Sequence, residues 1–163
     1  MLLIINICKE RLHYHEFVRP IEDILRNKGI KFLTKNYLEL KNSDIGKADK
    51  IIITGTSLKD NDFMMHLDKF SWLKDFKKPI LGICGGSHII GVALGYRLKK
   101  KKEIGFRGIN LKKEFLGVSG KLEVYHLHQF YALPGVFHKD NFYATLFHPE
   151  VRNKEIIENF AKV

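Results

Sequence analysis

Short apolar runs alternate with amphipathic segments through the first half of the chain. The apolar runs predict β-strands at residues 2–8, 30–33, 50–54 and 80–83. Apolar residues at helical spacing predict helices at 16–27, 63–76 and, near the C-terminus, 155–161, with Pro20 in the first turn of the first one. Continuous apolar strands that alternate with amphipathic helices are typical of a parallel sheet covered on both faces.

The pattern changes in the second half of the chain. Between residues 106 and 147 the segments become shorter and alternate in polarity, with turns expected at Gly120, Pro134 and Asp140. The expected fold class is therefore α/β: an open, mainly parallel, flavodoxin-like three-layer sheet with antiparallel strands in the C-terminal part. The chain contains no repeat or linker, so we expect residues 1–163 to form a single domain.

Composition narrows the class of protein. A chain of 163 residues is long enough to bury a core without cross-links, and two cysteines do not suggest a disulfide framework, which favours a reducing compartment. The first residues lack a basic leader and a cleavage site, and no apolar run approaches the roughly 20 residues that span a bilayer. We therefore expect a cytoplasmic protein with no membrane partner.

The segment around Cys84 carries the strongest chemical signal. A predicted buried strand runs into Cys84, which lies between Gly82 and Gly86. A nucleophile held at a turn between strand and helix needs small residues two positions before and after it, because larger side chains would clash. Residues 87–94 can form a helix whose N-terminal amides point at Cys84, favour its thiolate and donate hydrogen bonds to an oxyanion.

A candidate base for Cys84 lies far downstream, at His148. Pro149 stiffens the link between His148 and Glu150, so one rigid segment presents both side chains. In a thiol mechanism His148 takes the proton from Cys84, while Glu150 holds the imidazole tautomer and stabilises its charged form. The other cysteine, Cys8, is expected to be an inert core residue.

Two motifs resemble the class I (triad) glutamine amidotransferase family: Gly82-Ile83-Cys84-Gly85-Gly86-Ser87-His88 and Phe147-His148-Pro149-Glu150. Weaker matches are the strand and loop around Gly55, the run Glu103-Ile104-Gly105-Phe106, and Tyr125-His126-Leu127-His128 ahead of Leu133-Pro134. In size the chain resembles the small glutaminase subunit of two-chain GMP synthetases.

The resemblance implies a catalytic triad of Cys84, His148 and Glu150, with the amides of Gly55 and Gly85 as the oxyanion hole. It also implies a glutamine pocket lined by four consecutive residues: Tyr125, His126, Leu127 and His128. Glutamine would be hydrolysed through a glutamyl thioester, and the ammonia would pass to a synthetase partner, since the chain has no room for an acceptor or ATP domain.

One substrate contact departs from the family pattern. The family has a glutamine four residues after the nucleophile, where this chain has His88, and the usual glycine and proline loop is replaced by Gly55-Thr56-Ser57. His88 stays a candidate substrate contact, with a geometry and charge unlike those of a carboxamide. Two alternatives therefore remain open: a related γ-glutamyl thiol hydrolase, and a non-catalytic regulatory relative of the same fold.

Two further features allow more than one interpretation. His126 and His128 point to one face of a strand and could bind a metal with His88 or His148, but no clear ligand set is completed, so we expect no metal or other cofactor. The formal net charge of +10 includes a lysine run at residues 99–102. This run could bind nucleic acid or form a solvated edge, and of these two we favour the solvated edge. A third possibility, docking on an acidic surface of a synthetase partner, fits the family better.

Overall fold

The computed structural model describes all 163 residues. The chain has eight strands. They are β1 (Leu2–Asn6), β2 (Phe32–Asn36), β3 (Lys50–Ile53), β4 (Ile80–Ile83), β5 (Lys99–Phe115), β6 (Val118–Tyr131), β7 (Val136–Lys139) and β8 (Phe142–Thr145). Six strands make one sheet in the order β2-β1-β3-β4-β8-β7, and β5 pairs with β6 in a separate antiparallel hairpin. Within the six-stranded sheet only β7 is antiparallel to its neighbour.

The helices are short. They are α1 (Arg11–His13), α2 (Arg19–Asn27), α3 (Asn42–Lys47), α4 (Gly85–Ala93) and α5 (Lys154–Phe160). A π-helical turn, Tyr14–Val18, joins α1 to α2, and 3-10 helices cover Tyr37–Glu39 and Asp62–Lys74. Pro20 lies in the first turn of α2, where its missing N–H leaves no helical bond unmade. None of the helices combines the length and apolar character that crossing a bilayer requires.

Alternate residues of the central strands fill two separate cores. Leu3 and Ile5 of β1 belong to a cluster with the apolar side chains of α4 and the long 3-10 helix. Leu2 and Ile4 belong to a second cluster with those of α2 and α5. Each fully buried Leu or Ile contributes about 1.5–3 kcal/mol of transfer free energy, so both faces need their helical cover. The predicted α/β class with a mainly parallel sheet is confirmed.

The segment around residues 63–76 is helical as predicted but of the 3-10 type. Its apolar stripe runs through Met64, Leu67, Phe70 and Leu73. This spacing of three residues matches the period of a 3-10 helix rather than the 3.6 of an α-helix. The element is broken by non-helical backbone at His66, with φ −125° and ψ 29°.

The hairpin reverses earlier than the sequence indicated. Its turn lies at Leu116 and Gly117, both of which have positive φ (47° and 81°). The predicted turn at Gly120 is wrong, because this glycine lies inside β6, opposite Leu111, next to a register irregularity. Its positive φ of 72° fits a local bulge, which glycine tolerates without the steric cost of a side chain.

Candidate active site

Three neighbouring strands deliver the candidate site residues to one edge of the sheet. Gly55 follows β3, Cys84 follows β4, and His148 follows β8 in the sheet order β3-β4-β8. Since these strands are parallel, their carboxyl ends lie side by side, where open α/β sheets bind their ligands. The topology therefore brings together residues that are 93 positions apart at most in the sequence.

Cys84 occupies a strained turn between β4 and α4. Its backbone has φ 48° and ψ −99°, a region that side-chain-bearing residues rarely adopt. A Cβ on Gly82 would lie 2.5 Å from the carbonyl oxygen of Gly86, and a Cβ on Gly86 would lie 2.3 Å from that of Ile53. No side chain fits at either position, as the sequence predicted for a nucleophile elbow.

His148 and Glu150 form a completely buried pair. The Nδ1 atom of His148 lies 2.8 Å from Oε1 of Glu150, and both side chains have no exposed surface. Since a carboxylate can only accept, Nδ1 keeps its proton, and Nε2 is the ring nitrogen that gains or loses the second one. Burial opposes the charged ring, but the charges of Glu150 and of Cys84 outweigh it and raise the pKa of His148 well above its usual value.

The backbone of strand β6 accepts hydrogen bonds from both Cys84 and His148. The carbonyl of Leu127 accepts a hydrogen bond from Sγ of Cys84 at 3.5 Å. The carbonyl of Tyr125 accepts one from the backbone amide of His148 at 2.8 Å. Nε2 of His148 is buried and has no hydrogen-bond partner. With Nδ1 held by Glu150, Nε2 is the ring nitrogen left to exchange a proton with the neighbouring Cys84 side chain.

Gly55 packs against the two reactive side chains. A Cβ at this position would lie 2.6 Å from Cε1 of His148 and 3.3 Å from Cβ of Cys84. Only the absence of a side chain lets the β3 loop approach so closely. Gly85 is the first residue of α4, so its amide has no partner within the helix. The oxyanion roles of both glycines stay predictions.

A narrow cleft lies over Cys84. It is bounded by the loop after β3, the start of α4 and the end of β6, and its lining includes His88, Leu127 and His128. Tyr125 and His126, which the sequence assigned to the same pocket, are not among the lining residues. The cavity volume is about 10 Å³. This is at the lower limit for a single water molecule, so an amide substrate would require the walls to move apart.

Comparison with known proteins identifies the family of this chain. Residues 13–134 match the family glutamine amidotransferase class-I. The chain belongs to this family. The matched residues include Cys84 and stop before His148 and Glu150. The elbow and the Phe-His-Pro-Glu run predicted this family, and that prediction is confirmed. The catalytic triad itself stays a prediction.

The similarity to known proteins covers most of this chain. A HisH subunit of imidazole glycerol phosphate synthase from Bacteroides fragilis is 25% identical, with 90% of this chain and 94% of that protein covered. The HisH subunit of Methanocaldococcus jannaschii is also 25% identical, over 83% of this chain and 91% of that protein. Among solved structures, a GMP synthase subunit from Thermoplasma acidophilum superposes with a TM-score of 0.80 at 21% identity, covering 99% and 93% of the two chains.

His88, at the position where the chain departs from the usual class-I motif, is almost completely buried. Only 4% of its surface is exposed, and its Nδ1 atom has no hydrogen-bond partner. Burial, with smaller contributions from the charges of His128 and His148, lowers the pKa of His88 to about 3. The ring is therefore neutral near pH 7 and presents an unsatisfied polar atom beside the cleft.

The two cysteines differ in their surroundings. Burial raises the pKa of Cys8 to about 12, and its Sγ lies 3.7 Å from the carbonyl oxygen of Gly55. Such a thiol does not ionise near neutral pH, which agrees with the inert core role expected from the sequence. Cys84 differs in having the His148 ring as a neighbour and a helix N-terminus directly after it.

Asp60 organises the loop after β3, although no sequence motif pointed to it. Its Oδ2 atom accepts hydrogen bonds from the Lys9 amide at 2.9 Å, the His13 ring at 2.9 Å and the Thr56 hydroxyl at 2.8 Å. Burial alone would raise the pKa of Asp60, but these hydrogen bonds hold it below its usual value. The residue sits in a polar stretch of ordinary loop composition, so only the fold identifies its role in holding the loop that carries Gly55.

Proposed function

We propose that this chain is a glutaminase subunit that hydrolyses glutamine to glutamate and ammonia. The observation that carries the proposal is the buried pair of His148 and Glu150, whose imidazole neighbours a cysteine held in an elbow turn. Membership in the class-I amidotransferase family supports glutamine as the substrate. An imidazole that is oriented by a carboxylate and faces a thiol is the arrangement that activates a cysteine nucleophile.

The proposed reaction has two halves. Sγ of Cys84 attacks the side-chain carboxamide carbon of glutamine, after its proton has passed to Nε2 of His148. That proton then moves to the leaving nitrogen, so ammonia departs and a glutamyl thioester remains. A water molecule next gives a proton to His148 and attacks the thioester, which releases glutamate, and His148 returns the proton to Sγ to restore the thiol. Glu150 stabilises the charged ring in both halves.

The charge that develops on the carbonyl oxygen needs hydrogen-bond donors. Gly55 of the β3 loop packs against Cys84, and Gly85 follows Cys84 as the first residue of α4. Preorganised donors of this kind are worth about 10²–10³-fold in rate for each donor. We assign the oxyanion hole to this pair.

Ammonia is proposed to pass to a synthase partner. The HisH relatives are named as subunits of imidazole glycerol phosphate synthase, and the Thermoplasma protein is named for GMP synthase. A cleft of about 10 Å³ is too small for glutamine, and docking of a partner supplies a reason for it to open. The net charge of +10 favours a partner with an acidic surface. Cytoplasmic location stays a prediction that fits the two unpaired cysteines.

Ammonia release tests the proposal. The purified chain is incubated with glutamine alone, with the ATP-dependent subunit of a GMP synthase, and with the cyclase subunit of imidazole glycerol phosphate synthase. We expect release that requires Cys84, is stimulated by one of the two partners, and is unchanged by the matched control Cys8→Ser. Release that persists in Cys84→Ser would contradict the mechanism.

A γ-glutamyl thiol hydrolase is the second candidate, and the buried His88 favours it. A neutral histidine replaces the carboxamide expected beside the substrate, so the pocket differs from that of a glutaminase. Turnover of other γ-glutamyl amides in preference to glutamine would select this function. Absence of turnover with every amide and partner, together with an unreactive Cys84, would select a non-catalytic relative.

A further inference from the structure

A second cluster of polar side chains lies on the β5–β6 hairpin, beside the candidate active site. His126 and His128 project from the same face of β6, and Glu103 of β5 pairs directly with His128 in the strand register. From the sequence alone, His88 or His148 are the possible further ligands beside the two histidines, and no metal is expected. The structure instead brings Glu103 to them.

Three ligand atoms of this cluster form a compact triangle. Nδ1 of His126 lies 3.1 Å from Nε2 of His128. Oε2 of Glu103 lies 3.0 Å from Nε2 of His128 and 3.4 Å from Nδ1 of His126. Ligand distances of about 2.0–2.1 Å in tetrahedral geometry put neighbouring donor atoms about 3.3–3.4 Å apart. The triangle therefore matches three corners of a zinc tetrahedron to within a few tenths of an ångström.

We propose that Glu103, His126 and His128 bind a zinc ion, with solvent as the fourth ligand. Two imidazoles and one carboxylate are a common zinc donor set. Glu103 has 24% of its side chain exposed, whereas the two histidines are almost completely buried, so the open corner of the tetrahedron faces solvent past the glutamate. This site does not depend on the proposed glutaminase activity.

The hydrogen bonds around His128 favour a cation at the centre of the triangle. Nδ1 of His128 lies 3.0 Å from the carbonyl oxygen of Lys101, which can only accept, so Nδ1 carries the proton. In the neutral ring Nε2 then presents a lone pair to a carboxylate oxygen, which is also an acceptor, and only a proton on Nδ1 of His126 would relieve this. A metal ion between the two atoms converts this opposition into two ligand bonds.

The surroundings also resemble the outer shell of a metal site. Ligand histidines usually donate their second ring nitrogen to a carbonyl or carboxylate, as His128 does to Lys101. The ammonium group of Lys101 lies 3.4 Å from Oε1 of Glu103, which leaves Oε2 directed at the histidines. The glutamate is thereby held with one specific oxygen toward the proposed ion.

The proposed ion would stiffen the strand segment that holds the reactive residues. The residues that alternate with the ligands on β6 are Tyr125 and Leu127, whose carbonyls accept hydrogen bonds from His148 and Cys84. Two zinc bonds to His126 and His128 would fix this segment at the spacing those carbonyls need. The proposed site is a metal centre with an open, solvent-bound position that lies next to the cleft and takes no part in the thiol chemistry.

Zinc titration of the full chain tests the proposal. The protein is stripped with a chelator and titrated with Zn²⁺ against a chromophoric competitor, and bound metal is counted by mass spectrometry. The same titration is run on Glu103→Gln, on His128→Asn and on a control, His15→Asn, which removes an exposed histidine outside the cluster. Circular dichroism checks that each variant is folded, and Cys84→Ser excludes binding by the nucleophile.

We expect one zinc per chain. Affinity should fall by more than about 100-fold in Glu103→Gln and in His128→Asn, since even outer-shell changes cost 10–100-fold, and should be unchanged in His15→Asn and Cys84→Ser. Cobalt at the same site should give the visible absorption of a tetrahedral complex, lost in Glu103→Gln. Absence of saturable binding to the folded wild type, or affinity that survives Glu103→Gln, would overturn the proposal and leave a hydrogen-bonded cluster.

Discussion

Two groups of histidine and carboxylate side chains lie on either side of β6, and they differ in what their atoms can do. In the first, a single imidazole of His148 donates to Glu150 and keeps one free ring nitrogen. In the second, two imidazoles converge on one oxygen of Glu103. The pKa values of the two groups also shift in opposite directions. Although His148 is buried, neighbouring negative charge raises its pKa. Burial lowers the pKa values of His126 and His128 despite the nearby carboxylate.

Both groups consist of histidine and carboxylate side chains, so the number of rings that share a carboxylate, more than the residue types, decides what each group can do. A ring with its own carboxylate can accept and release a proton, because the carboxylate stabilises the ring in its charged form. Two neutral rings that share one carboxylate oxygen can instead direct several lone pairs at one point. The first arrangement suits acid–base catalysis, and the second suits a cation.

The largest effect is expected from removing the nucleophile or its base. Cys84→Ala and His148→Ala should each lower glutamine turnover by roughly 10⁴-fold or more, since members of one catalytic unit fail together. Steady-state ammonia release with the partner present measures this. His15→Ala, which removes an exposed histidine, is the control. Near-native turnover in His148→Ala would show that the Phe-His-Pro-Glu match is accidental.

A smaller loss is expected from Glu150→Gln, because the nucleophile and base both survive. The rate should exceed that of His148→Ala by about tenfold or more. Since the charge of Glu150 raises the pKa of His148, its removal should move the midpoint of the His148 titration to lower pH. NMR of the histidine ring across pH 5–10 gives this midpoint, and an unchanged value would separate the two residues functionally.

Gly55→Ala tests how closely the β3 loop must approach. The new Cβ would meet the His148 ring at 2.6 Å, so the ring or the loop must shift, and turnover should fall by roughly 10²-fold, as when a reacting group is displaced by about 1 Å. Gly46→Ala is the matched control, because its Cβ would enter open space in α3. Equal activity of the two variants would contradict the proposed position of Gly55.

His88→Gln should have the smallest effect on glutamine turnover. It restores the carboxamide of the family motif, so the Michaelis constant should fall several-fold with little change in kcat. Because burial lowers the pKa of His88 to about 3, glutamine binding should not change through this ring between pH 6 and 9. Loss of activity in His88→Gln, with wild-type turnover of another amide, would favour the γ-glutamyl hydrolase.

The parallel sheet and the edge residues could be predicted because their signals are local. Cys84 has glycines at fixed offsets, and His148 and Glu150 are joined by a proline, so short segments carry their own constraints. The hairpin could not be predicted in the same way. Glu103 meets His128 only through a strand register with irregularities on both sides, and Asp60 acts through partners 47 to 51 residues away as well as through Thr56. Long-range register and loop contacts leave no periodic trace in a single sequence.

Mapping the adduct of a glutamine-derived chloroketone, added in the presence of the stimulating partner, tests the central claim most directly. This reagent alkylates a reactive thiol that sits in a glutamine pocket, and mass spectrometry of the digested protein identifies the modified cysteine. We predict one adduct, on Cys84, that glutamine suppresses and that forms at least tenfold more slowly in His148→Ala, with none on Cys8. Labelling of Cys8 as fast as Cys84, or labelling of Cys84 that is indifferent to both glutamine and His148, would contradict a thiol activated by the His148 and Glu150 pair.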